Sequence, residues 1–106
     1  MKLLNVKKSD KADKKYVATF CMCKGPTKCS DDERKKVHFG AKKDGKFMDD
    51  YTRTKDVDQR TRYRKRHAKE KDQKADTPGA LAYHLLWGAY TSLKENIKAF
   101  KGKYNV

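Results

Sequence analysis

Lys15-Tyr16-Val17-Ala18-Thr19-Phe20 is a short run rich in β-branched and aromatic residues, and that composition predicts a β-strand. Downstream, Lys36-Val37-His38-Phe39-Gly40 has the same character and predicts a second strand. Gly25-Pro26 marks a turn between them, and Asp31-Asp32-Glu33-Arg34 is polar and loop-like. The pair is expected to form an antiparallel hairpin with a long connection. Asp44-Gly45 is a further turn signal. Phe47 to Thr52 is expected to be a short edge strand or an extended lead into a helix.

From Asp56 onward the apolar spacing turns helical. Asp56 is a candidate N-cap with Gln59 three residues on, as in a capping box. No breaker follows until Asp76-Thr77-Pro78-Gly79, so a first helix is expected to fill that interval. A second helix starts with Thr77 as N-cap and Pro78 at its first position. It carries Leu81, Leu85, Leu86 and Trp87 and is expected to stop at Gly88. Ser92, with Glu95 three residues later, opens a third helix whose apolar face is Leu93, Ile97 and Phe100. Gly102 is expected to end it. The predicted fold class is α+β: a small N-terminal antiparallel hairpin or sheet followed by three α-helices. Residues 15–106 would form one domain, with a β part at 15–55 and a helical part at 56–106. Residues 1–14, mostly Lys and Asp after Val6, would be a basic arm, mobile on its own and ordered by a partner.

Composition narrows the function. The chain has 106 residues, 40% of them charged, and 28 Lys and Arg against 14 Asp and Glu give a formal net charge of +14. A domain of this size buries only about two-thirds of its unfolded surface, which leaves material for one modest core. Charge of this density attracts nucleic acid, anionic lipid or acidic protein surfaces. No stretch approaches the roughly 20 apolar residues that span a bilayer. The N-terminus, with two leucines and no long apolar region, does not read as a secretory signal.

The basic residues cluster. Arg60, Arg62, Arg64, Lys65, Arg66, Lys69, Lys71 and Lys74 crowd one segment, offset only by Glu70 and Asp72. Residues four apart share a helix face, so Arg62 stacks with Arg66 and Arg60 with Arg64, while Tyr63 and His67 are expected to look inward. Arg60, Arg62, Arg64, Lys65, Arg66 and Lys69 are therefore the candidate polyanion-binding residues, against the plainer alternative of a solvated helix face. No DNA-reading motif accompanies them.

Cys21, Cys23 and Cys29, an odd number close together, fit a reducing compartment better than a secreted disulfide framework. With His38 they are weak candidates for a metal site, because zinc sites more often use a C-x-x-C turn than C-x-C. Free thiols in a hairpin are the favoured alternative. His38, His67 and His84 are widely separated and read as structural. Asp49-Asp50 is expected to form salt links to the arginine helix. No nucleophile elbow, phosphate-cradling glycine loop or paired catalytic carboxylates are present, so no enzyme and no cofactor are expected. Trp87 and Tyr90 belong to the densest apolar cluster. Core is its default reading, and any part left exposed would dock a protein.

Val37-His38-Phe39-Gly40-Ala41, Asp50-Tyr51-Thr52, Arg62-Tyr63-Arg64-Lys65-Arg66-His67, Thr77-Pro78-Gly79-Ala80-Leu81, Leu86-Trp87-Gly88 and Ser92-Leu93-Lys94 together give the chain, from Lys15 to Val106, a resemblance. It is similar to a family of small basic uncharacterised proteins encoded by large DNA viruses of algae and protists. The segment from Cys21 to Glu33 departs from that family, where a shorter connection joins the two strands. The resemblance implies a viral origin and lends no catalytic residues. It makes a structural virion protein the expectation: a minor capsid or cement-type component, made in the host cytoplasm or nucleus, that contacts acidic capsid proteins. The alternative is a basic nucleic-acid-binding protein that coats or condenses the viral genome.

Overall fold

The computed structural model describes residues 1–22, 29–43, 46–47 and 49–106, with only the backbone described at 31, 43 and 47. Three long strands, β1 (Lys2–Lys8), β2 (Lys14–Cys21) and β3 (Arg34–Lys43), form an antiparallel sheet with β2 in the middle. A two-residue β4 (Lys46–Phe47) pairs with the far end of β3. The helices follow in sequence: α1 (Tyr51–Thr54), α2 (Val57–Arg66), a 3-10 segment (Ala68–Asp72), α3 (Pro78–Leu81) and α4 (Leu93–Tyr104). The α+β class and the order of sheet before helices are as the sequence predicts. Among the described residues, no helix is long and apolar enough to cross a membrane.

The first correction is at the N-terminus. Residues 2–8 are not a free arm but the first strand of the sheet, paired with β2 from Lys2 opposite Cys21 to Lys8 opposite Tyr16. The β part therefore begins at Lys2. A bulge between Leu3 and Asn5 inserts one extra residue and resets the alternation. Leu3 and Val6 thereby face the core together although they are three apart in sequence.

One face of the sheet is apolar: Leu3 and Val6 from β1, Tyr16, Ala18 and Phe20 from β2, Val37 and Phe39 from β3. Leu81, Leu85, Leu86, Trp87 and Phe100 from the helical layer cover it. Phe20, Phe39, Leu81 and Leu85 are fully buried, and each such side chain contributes about 1.5–3 kcal/mol. Gly40, at φ +83°, lets β3 pass the buried Lys15 and Leu86 closely; a Cβ there would lie 3.0 Å from Lys15 Cβ and 3.2 Å from Leu86 Cδ1.

The helix starts follow their caps. Asp56 accepts from the Gln59 amide, Thr77 from Ala80 and Ser92 from Glu95. The Gln59 side chain turns to Thr54 Oγ1 at 2.9 Å, so the capping box at Asp56 is only half formed. α2 stops at His67 and gives way to the 3-10 segment, well short of Asp76. α3 continues into a π turn over Ala82–Leu86, and the chain leaves it at Trp87 and Gly88. α4 runs through Gly102 and ends at Asn105, which takes the left-handed conformation at φ 56°. Its last turn is held by Tyr104, whose hydroxyl donates to the Gln73 carbonyl at 2.8 Å. Asp31–Glu33 is a short 3-10 turn, and the expected turns at Gly25-Pro26 and Asp44-Gly45 lie outside the described residues.

Candidate polyanion interface

α2 has two sides that do different work. Arg60, Tyr63, Arg64 and His67 fall on one side through spacings of three and four residues. Tyr63 stacks on Trp87 with ring centroids 4.4 Å apart and 9° between planes, and His67 stacks on Tyr63 at 4.1 Å. Burial, and then the neighbouring Glu70 carboxylate, push the Tyr63 hydroxyl well above the usual range. Tyr63 and His67 thus look inward as the sequence predicts.

Arg60 and Arg64 go with them. Arg60 Nε donates to the Gly88 carbonyl at 2.7 Å, and Arg64 Nη1 donates to the Trp87 carbonyl at 2.8 Å. The two guanidinium groups satisfy carbonyls that the end of the π turn leaves without helical partners. Arg64 also lies 4.4 Å over the Tyr83 ring, and Arg60 5.5 Å over Tyr51. Both arginines are half-buried. They are corrected from candidate polyanion contacts to internal clamps. The spacing carried that signal: once Tyr63 and His67 face inward, their neighbours at three and four residues must follow.

The other side of α2 carries Arg62, Lys65 and Arg66, with Lys69 just beyond its end. All four are exposed, and among the described residues none makes an ion pair or side-chain hydrogen bond. Glu70, the nearest carboxylate in sequence to Lys65, Arg66 and Lys69, is occupied by His67 Nδ1 at 3.1 Å. These four cations are what remains of the expected basic stripe.

Between α2 and the sheet lies a cleft of about 320 Å³ whose walls include Lys15, Asp50, Tyr63, Arg66, His67 and Trp87. Its deepest polar feature is a buried ion pair, Lys15 Nζ to Asp50 Oδ2 at 2.5 Å. Asp50 also caps α1, accepting from the Thr52 amide at 2.9 Å and from the Thr52 hydroxyl. The expected links from Asp49-Asp50 to the arginine helix are thus replaced by a link back to β2, while Asp49 is exposed. Burial, and then the Asp50 charge, raise the Tyr16 hydroxyl beside this pair.

The cysteines do not stay free. Cys21 ends β2, and Cys29 lies 5.9 Å away between Cα atoms, a separation that a disulfide spans; the two are bonded. They leave the weak candidate metal set on that account, and Cys23 lies outside the described residues. His38 Nδ1 sits 2.7 Å from Ser9 Oγ. Among the described residues no three His, Cys, Asp or Glu side chains gather as metal ligands. Trp87, 6% exposed, is core and not a docking surface, whereas Tyr90 is 47% exposed.

One polar residue had no signal in the sequence. Asn96 on α4 is buried, donates from Nδ2 to the Leu85 and Tyr90 carbonyls at 2.9 and 2.8 Å, and accepts from the Tyr90 amide at 3.0 Å. It closes the loop that delivers Trp87 and Gly88 to the arginine clamps. A Cβ on Gly88 would collide with the His84 carbonyl and lie 2.7 Å from Asn96 Oδ1.

The fold and this surface define a small basic α+β protein with a one-sided cationic helix. Residues 4–67, more than half of the chain, match a family described as a family of unknown function (DUF5754), and the chain belongs to that family. The matched span runs from β1 to the end of α2. Comparisons with curated proteins and with solved structures return no match.

Proposed function

We propose that this is a non-enzymatic polyanion-binding protein whose ligand is the phosphate backbone of nucleic acid. The observation that carries the proposal is the outward row Arg62, Lys65, Arg66 and Lys69: four exposed cations without internal partners among the described residues, on a chain of net charge +14. Guanidinium and ammonium groups so placed contact phosphates without reading bases, so binding should be tight at low salt and indifferent to sequence. Coating or condensing a genome is the matching role, and the resemblance to proteins of large DNA viruses supports a viral genome as the target.

A virion protein seated on acidic capsid subunits is the second reading. It drew its strength from an N-terminal arm that needed a partner to order it. Pairing of β1 with β2 accounts for that order within the chain, which favours nucleic acid.

Binding to duplex DNA and to single-stranded RNA across a salt series tests the proposal. The expected result is affinity that falls linearly on a log–log plot, with a slope of roughly 0.9 per phosphate contacted on duplex. Negligible binding at physiological salt would overturn it and leave an acidic protein surface as the partner.

A further inference from the structure

The sheet has a second face, turned away from the helices. Strand alternation places Lys2, Asn5 and Lys7 of β1, Val17, Thr19 and Cys21 of β2, and Arg34, Lys36 and His38 of β3 on it; Thr19 and the disulfide-bonded Cys21 in the middle strand are buried, and the exposed residues all belong to the flanking β1 and β3. Register puts Lys7, Val17 and His38 in one row across the sheet, Asn5, Thr19 and Lys36 in the next, and Lys2, Cys21 and Arg34 in a third. With strands about 4.8 Å apart and same-face neighbours about 6.8 Å apart along a strand, the patch is on the order of 10 by 14 Å. Every charged residue in it is basic.

The opposite face treats its cations differently. Lys35, opposite Phe20, reaches Asp76 at 2.9 Å and holds that carboxyl below the usual range. Lys2, Lys7 and Lys36 are exposed and make no ion pair or side-chain hydrogen bond among the described residues. Lys2, Lys7 and Lys36, with no acid paired to them among the described residues, repel one another, and an arriving polyanion relieves that repulsion. A solvated surface kept only for solubility normally intersperses both signs.

The core and the helical layer separate this patch from the outward side of α2. We infer that the exposed lysines of this sheet face form a second phosphate-binding surface and that the protein bridges two nucleic-acid duplexes, one on α2 and one on the sheet. The inference rests on the polyanion reading above and adds to it a second site and a cross-linking role. The occupant is a duplex because the complementary charge must extend across three strands, which matches a continuous phosphate backbone rather than a single small anion.

The test uses an immobilised DNA duplex, a fluorescent second duplex and the full chain. Wild type should hold the first and capture the second. Lys2→Glu/Lys7→Glu/Lys36→Glu should still hold the first through α2, while capture of the second falls by about tenfold or more, as the loss of three phosphate contacts demands. If the charge-reversed protein fails to melt cooperatively, the Lys→Gln triple variant is scored in its place. Wild type that holds the first duplex and captures nothing overturns the inference and leaves the polyanion reading standing. Undiminished capture by the triple variant also overturns it, because bridging would then run through two copies of α2. Failure to hold even the first duplex removes the polyanion reading and this inference together.

Discussion

Arg64 and Arg62 sit two residues apart on the same helix, and their surroundings give them opposite work. The Arg64 guanidinium is tied to the Trp87 carbonyl and laid over Tyr83; that of Arg62 projects into solvent from the other side. The inward row of α2 belongs to folding, and the outward row is the one we propose for recognition. A count of arginines cannot separate the two, but the position of the one large aromatic, Tyr63, can.

The comparison is broken most forcefully at its platform. Trp87→Ala should cost about 3–5 kcal/mol, because the indole is core and also carries the Tyr63 stack. Thermal or denaturant unfolding checks it; a loss near zero would mean that α2 docks by other contacts. Arg64→Ala should cost about 2 kcal/mol, the contribution of a charged donor to a carbonyl otherwise left without a partner. Arg62→Ala should stay within about 0.5 kcal/mol of wild type. Equal losses at the two positions would erase the distinction between the rows.

Reduction sharpens a different boundary. The disulfide Cys21–Cys29 closes a short loop, and opening it should cost about 2.5 kcal/mol by chain entropy. Unfolding with and without reductant measures this, and duplex binding should survive wherever the sheet still folds. The smallest expected effect is on pH. Burial holds His84 below its ordinary value, ahead of the carbonyl bond to Lys71 that opposes the shift. The unfolded chain then binds the extra proton first, so stability is fully present above about pH 6.5 and declines as pH falls below it. His84→Gln should flatten that part of the profile.

What could be read from the sequence was mostly local. Asp56, Thr77 and Ser92 cap their helices because a cap is a bond between a side chain and an amide two or three residues on. β2 and β3 were legible for a similar reason, their residue types fitting a pleated surface. β1 was not, because its lysines looked solvated and its bulge hides the alternation that puts Leu3 and Val6 on one face. Gly102 looked like a helix stop, yet α4 continues because Tyr104 is anchored from outside the helix. The outward half of the candidate interface was legible as charge, but its inward half depended on the Trp87 and Gly88 carbonyls, 23 and 28 residues away in sequence. The basic open face of the sheet was hidden for the same reason as β1: its rows exist only once strands distant in sequence are paired.

The most direct test of the central claim compares two variants for duplex binding across a salt series. Arg62→Ala/Lys65→Ala/Arg66→Ala should melt like wild type, bind duplex more weakly at every salt concentration, and lose roughly 2–3 units of log–log slope. Arg60→Ala/Arg64→Ala should be less stable yet keep the wild-type slope wherever it remains folded. The reverse pattern, with the slope lost on removing the inward pair and kept on removing the outward three, would contradict the account.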